Sequence, residues 1–391
     1  SHMSEVLNKP WSMLVLLFLT RLSMGFQFQS LGSVGHDLVS GVGLSNFQLG
    51  SLIGLFMLPG LFLAFPGGYL GSYFRDKSII SFGLMCLCGG GLIVVASNNF
   101  SIMALGRIVC GVGFVLTTMY FSKVTIDWFE GRELATAMGI LIISWPGGIA
   151  LSQAIHPLVS LEVGWRGAVS TASIFCLGSA VIFYALYKPP ELIQPHSKPI
   201  KQESKLSKEE WRKTILAALS WAFYNAGYLV FLSFAFLALI EIGVSTLTAA
   251  AALSFCSFLI MLSIPLGGFL ADKFSLHEVI VFVSSFIGIV SLLLLPLGSF
   301  WLTFSFLFGA FGMSGGGIII ALAGQAMSAN RRAFGMGILQ TIYFFFAAVS
   351  PTIAGWLYDY VGTSKFALAF AASLFFFALL TYYFFMKTCK N

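Results

Sequence analysis

Apolar residues along this chain do not alternate with polar ones at the period of a strand or of a surface helix. They run on for about 20 residues at a time, long enough for a helix to cross the ~30 Å hydrocarbon core of a bilayer. Twelve such runs are read, over 12–35, 47–70, 79–97, 101–122, 134–157, 166–187, 214–240, 246–271, 279–297, 300–324, 333–358 and 364–386. The pattern predicts an all-α membrane protein of twelve transmembrane helices, since in lipid every backbone group must be satisfied within the segment. Most connections are very short, which predicts an up-and-down bundle. One differs: residues 188–213, KPPELIQPHSKPIKQESKLSKEEWRK, are polar, Pro-containing and Lys-rich. This stretch is read as a cytoplasmic linker between two pseudo-symmetric six-helix bundles, 4–187 and 214–391.

Composition agrees and removes other classes. The chain is 58% hydrophobic and 9% charged, where soluble domains carry about 25% charged residues. Phe and Gly each occur 41 times; Phe suits lipid contact and Gly allows close helix approach. The six cysteines (86, 88, 110, 176, 256 and 389) show neither a disulfide framework nor metal-ligand spacing. Ser1, His2 and Met3 resemble the scar of a cleaved tag before a native start, and no signal-peptide cleavage pattern follows.

The charge pattern then orients the bundle. With the N-terminus inside, the inner segments hold Lys9, Arg75, Lys77, Lys123, Arg132, seven basic residues of the central loop, Lys273, Arg331, Arg332, Lys387 and Lys390, which is 17 of the 21 Lys and Arg residues. Only Arg166 and Lys365 fall outside. The asymmetry places both termini in the cytoplasm. The net charge of +6 is thereby a topology signal with attraction to anionic lipid, not a nucleic-acid footprint. Short loops suit a bacterial inner (plasma) membrane, and a monomer suffices for the architecture.

The two halves echo each other at an offset near 200. GGYLGSYF (67–74) aligns with GGFLADKF (267–274), ATAMGIL (135–141) with AFGMGIL (333–339), Trp11 with Trp211, and Gly111 with Gly309. Parallel halves of this kind are the repeat of one large transporter fold. On these residues the whole chain resembles a major facilitator superfamily transporter. GGYLGSYFRDK, with Gly68 and Gly71, is similar to that family's Gly-rich loop motif, but Ser72 stands where the motif has Asp. The second copy keeps Asp272 and Lys273, so the resemblance implies a charge latch carried by the second half. Arg107-x-x-x-Gly111-x-Gly113 resembles the family's motif on span 4, whose arginine faces the cavity. Ser144 to Gly148 matches the antiporter motif only in part, with Trp145 in place of a glycine, and Pro146 marks a bend.

Two charges stand out because they are buried in these runs: Arg21 in span 1 and Arg107 in span 4, with no Asp or Glu in either segment. A charge at the bilayer centre costs roughly 2.5–3.5 kcal/mol even on insertion scales. A guanidinium retained there suits a carboxylate or phosphate held by paired N–H donors, although backbone carbonyls could satisfy it instead. An arginine on span 1 with one on span 4 resembles the organic-anion branches of the superfamily. Gln29 lies about 80° from Arg21 in helical projection. Thr118 shares the face of Arg107; Trp221, Tyr224, Asn225 and Tyr228 form a face of span 7; Gln340 and Tyr343 are three apart on span 11. These are the candidate substrate contacts. All fifteen acids map to loops, termini or span ends, so cationic solutes are disfavoured.

The expectation is a secondary transporter for a small organic anion or a carboxylate-bearing solute such as an amino acid, as symporter or uniporter by alternating access. The competing reading is an exporter of amphipathic drugs or siderophore-like compounds, with structural arginines. No metal cluster, cofactor motif, nucleophile–base pair or Walker loop is found, so neither an enzyme nor a nucleotide-driven pump is expected.

Overall fold

Hydrophobicity decides the architecture. The computed structural model describes residues 2–129, 133–191 and 200–391. Glu130, Arg132 and Lys198, which the sequence assigns to the basic face, lie outside the described residues. Among the described residues every regular element is helical. After a short helix, His2–Leu7, come α1 (Pro10–Ser33), α2 (Asn46–Leu63, interrupted near Phe56), α3 (Asp76–Val95) and α4 (Phe100–Phe129). A helical stretch of 53 residues follows, Leu134–Leu186, broken at Gly164. At 1.5 Å per residue this would be about 80 Å long, well over twice the thickness it must cross. It doubles back at Gly164, whose φ of 81° is open to glycine but strained for other residues. Accordingly His156 Nε2 lies 3.2 Å from Thr171 Oγ1, fifteen residues away. The two arms are α5 (134–163) and α6 (165–186). Sequence alone placed an eight-residue connection at 158–165; the chain keeps helical geometry through nearly all of it.

The second set comprises α7 (Lys208–Glu241), α8 (Thr246–Phe274), α9 (His277–Leu297), α10 (Trp301–Ala326), α11 (Arg332–Val361) and α12 (Ser364–Lys390). Among the described residues, eleven helices of sufficient length and hydropathy, one crossing twice, make twelve passages through a membrane. The protein is a multi-pass integral membrane protein. Local signals explain the helix starts. Pro10 occupies the first turn of α1, where its missing N–H is no loss. Ser45 with Gln48, and Ser207 with Glu210, form capping boxes on α2 and α7. α10 is not continuous: a π-helical turn, Phe308–Gly312, interrupts it.

α1 packs on the α5–α6 hairpin, α3 on α4, and α7 between α11 and α12. The two sets meet along α2–α11 and α5–α8. Burial along the two central helices shows where they part. α1 is enclosed without a break from Ser23 to its end at Ser33, and α7 from Ala226 to Leu239. Toward the termini both show exposed or half-exposed faces, at Trp11, Val15, Leu19, Arg21 and Leu22 on α1 and at Trp211, Leu219, Trp221 and Asn225 on α7. A central gap therefore opens toward the face that carries the chain termini and closes just beyond Arg21 and Asn225.

Candidate functional site

The closure beyond the gap is built from backbone approach and from single hydroxyls and amides. Gly50 and Gly54 of α2 sit so close to α11 that a Cβ would lie 2.1 Å from the Pro351 and Ala348 carbonyl oxygens, respectively. Gly60 lies flat against the Phe344 ring. Ser254 Oγ of α8 donates to the Ala150 carbonyl of α5 at 2.9 Å, and Ser257 donates to Gln153 Oε1 one turn on. At the far face the Asp359 carboxylate, from the end of α11, accepts from the Asn46 and Phe47 backbone N–H groups at 3.1 and 2.8 Å. That is a carboxylate placed on the positive end of the α2 dipole across the two sets.

Within this closure lies an aromatic wall, its Phe28, Phe56 and Phe114 rings buried and Trp145 partly exposed. Phe28 and Trp145 have ring centroids 5.3 Å apart, Trp145 and Phe114 5.0 Å, Phe114 and Phe56 5.3 Å, and Phe114 reaches Phe344 of the other set at 6.5 Å. Sequence reasoning missed this wall. Phe is so frequent in the chain that no single position signals a role.

Arg21 sits at the edge of the wall, at the apex of the gap. Its guanidinium makes no hydrogen bond to another described residue, and its buried Nε is without a partner. No carboxylate pairs with it among the described residues. The group within electrostatic range is the Tyr343 phenol, from α11. Tyr343 in turn stacks on Trp221 of α7, with centroids 6.0 Å apart and planes 19° from parallel. The structure thus brings Arg21, Trp221 and Tyr343 together from three helices. Asn225 Nδ2 donates to the Trp221 carbonyl at 2.9 Å, which leaves its Oδ1 available. Gln340 stands one turn from Tyr343, partly exposed.

Other candidates are placed elsewhere. Arg107 is 1% exposed; its Nε donates to the Leu52 carbonyl at 2.9 Å, its Nη2 to the Phe28 carbonyl at 3.2 Å, and its guanidinium lies 4.7 Å from the Phe56 ring centre. It ties α4 to α1 and α2 behind the aromatic wall. Gln29 Nε2 donates to the Leu232 carbonyl of α7 at 2.9 Å and belongs to the seal. Tyr224 donates to the Met313 carbonyl at 2.7 Å and points into the second set. Tyr228 is buried beside Ser257 at the α5–α8 contact. The Thr118 hydroxyl is buried without a partner on α4.

The residues read as gating lie on the face with the termini. Gly68 and Gly71 belong to a 3-10 segment, Pro66–Ser72, held by Tyr120, which donates to the Gly67 carbonyl at 2.8 Å and accepts from the Gly71 N–H at 2.7 Å. Asp272 pairs with His277 at 2.8 Å inside its own set, and Lys273 lies over Phe274. Neither reaches across to the first set, as expected where the gap is open. Pro146 lies inside α5, next to Trp145.

The chain was then compared with known proteins. The model of the Major Facilitator Superfamily matches residues 17–330. The "Probable L-galactonate transporter" of Escherichia coli (strain K12) is 25% identical over 181 residues, 46% of this chain and 40% of the relative. The "Lysosomal dipeptide transporter MFSD1" of Danio rerio is 25% identical over 200 residues, 46% of this chain and 43% of that one. The matched stretches therefore span less than half the length of these relatives. Among solved structures, a bacterial homolog of the human lysosomal transporter Spinster, in an inward-facing and occupied conformation, superposes with a TM-score of 0.74 at 17% identity, covering 98% of this chain and 97% of that one. A peptide transporter in complex with sulfate gives 0.76 at 12% identity, covering 96% and 95%.

Proposed function

From the premise that this chain belongs to the Major Facilitator Superfamily, we propose that it carries a small organic anion, or a solute bearing a carboxylate, across the membrane by alternating access. The observation that carries this reading is the Arg21 guanidinium: half-buried at the apex of the gap with its Nε enclosed, and among the described residues free of hydrogen bonds and without an acid to neutralise it. A carboxylate there would receive two charge-assisted hydrogen bonds in a setting of low dielectric. The Trp221–Tyr343 stack would give the rest of the solute a flat wall, and the Asn225 and Gln340 amides could bind its hydroxyls or amides. Sugar acids and small peptides, the classes named for two relatives, both carry a carboxylate beside such groups.

Mechanism follows from the placement. Arg21 belongs to the first set and Tyr343 and Trp221 to the second, so a solute held between them joins the two. Neutralising the arginine lowers the cost of withdrawing the site from water as the terminal face closes. Closure there must be matched by separation of the Gly50–Pro351, Gly54–Ala348 and Asp359–α2 contacts on the opposite face, in a rocking motion about the site. Arg107 serves the site indirectly, by fixing α4 against α1 and α2.

The test is uptake of labelled organic acids and dipeptides into proteoliposomes. Arg21→Ala and Arg21→Lys lose transport while the protein remains folded by size-exclusion profile; full transport by Arg21→Ala contradicts the reading. One observation favours a second reading: the aromatic cluster that ends in the partly exposed Trp145 suits amphipathic drugs or siderophore-like compounds. In that case lipophilic dyes, not small carboxylates, would be carried, and the Arg21 variants would carry them at the wild-type rate.

A further inference from the structure

The terminal end of α12 carries chemistry that the solute site does not use. Between α9 and α12 an apolar groove of about 480 Å³ opens on the outer surface, lined by Phe282, Phe376, Leu379, Leu380, Tyr383 and Met386. Lys387, Lys390 and Glu278 stand at its mouth. Glu278 takes up Lys390 at 3.5 Å, and Lys387 is left without an acidic partner among the described residues. On the other side of the same lysine, between α7 and α12, is a recess of about 770 Å³ walled by Lys208, Arg212 and Lys387, with Leu216 and Phe384 beneath. The one acid on its rim, Glu209, is engaged by Lys213 at 3.2 Å. Among the described residues, three cations thus converge unneutralised next to an apolar groove on the outer surface.

We propose that this is a binding site for an anionic phospholipid in the leaflet on the face of the termini. One acyl chain lies in the α9–α12 groove. The phosphate sits on Lys387, within the field of Lys208 and of Arg212, whose guanidinium can meet two phosphate oxygens at once. A zwitterionic headgroup brings its own ammonium into the same cation cluster and is disfavoured. Free phosphate lacks the chain that fills the groove. Basic pockets between spanning helices are where lipid charge is read in general. What singles out this one is that Lys387 is shared by a chain-shaped groove and a headgroup-sized recess. The site is independent of which solute the protein carries.

The test is native mass spectrometry of the purified full chain in detergent with equimolar phosphatidylglycerol and phosphatidylcholine. The wild type retains one phosphatidylglycerol in preference, and millimolar inorganic phosphate does not displace it. Each cation near an anionic lipid contributes about fivefold in affinity. Lys208→Gln, Arg212→Gln and Lys387→Gln combined should therefore weaken retention on the order of a hundredfold. Leu379→Trp, which fills the groove and leaves every charge in place, also abolishes the preference. The same charge removed elsewhere on that face, by Arg75→Gln, Lys77→Gln and Arg332→Gln, leaves it intact. Equal retention of the two lipids by the wild type overturns the proposal. So does an equal loss in the remote triple variant, or displacement by free phosphate. Size-exclusion profiles identify any variant that has merely failed to fold.

Discussion

Two arginines that read alike in sequence differ at the level of the single residue. Arg107 has both ends of its fork on helix carbonyls and a ring beneath it. Arg21 has neither. Arg107→Ala therefore lowers stability, by about 1–3 kcal/mol for the buried contacts it removes, and its loss of transport parallels a fall in melting temperature. An Arg107→Ala protein that unfolds like the wild type but does not transport would place that arginine in the solute path instead. The aromatic stack makes a milder prediction. Tyr343→Ala removes a ring contact worth ~0.5–1.5 kcal/mol and should raise KM roughly threefold to tenfold with kcat nearly unchanged. A change in kcat alone would instead assign Tyr343 to the conformational step. Sequence spacing made both arginines candidates. It could not separate them, because the partners of Arg107 are carbonyls 55 and 79 residues away, and a carbonyl has no residue-type signature.

At the scale of elements, the helices were legible and the contacts between them were not. Apolar runs placed all the crossings, and the Pro and Ser cap residues sharpened several starts. The reversal at Gly164 was read as an eight-residue connection between two apolar runs, whereas helical geometry continues up to it from both sides. The glycines of α2 show the same limit. Gly50 and Gly54 look like any small residues, yet each receives a carbonyl of α11. Gly54→Val should hold α2 and α11 apart, leaving the protein folded but unable to close on the far face, and uptake should fall at least tenfold. Normal uptake by that variant would show that this approach is not needed in the cycle. The Asp359 cap makes a related prediction. Asp359→Asn weakens a carboxylate–dipole contact worth about 0.3–1 kcal/mol. Spin labels at Gly41 and Leu247, one on each set, should then report a longer distance component, and an unchanged distribution would contradict a latch.

For the whole molecule, hydrophobic matter supplies the bundle. Among the described residues most Lys and Arg side chains lie on the face with the termini, and the gap opens there. The solute reading and the lipid site occupy different parts of this one pattern: the half-buried Arg21 between the two helix sets, and a surface cluster beside α12. The central claim is that Arg21 is what the solute meets. It is tested most directly by thermal unfolding of the purified protein against a panel of sugar acids, dicarboxylates, amino acids and dipeptides, repeated with Arg21→Ala. The account predicts that at least one carboxylate raises the melting temperature of the wild type in a saturable way and that the same compound leaves Arg21→Ala unmoved. Equal stabilisation of both proteins, or stabilisation by lipophilic cations alone, would contradict it.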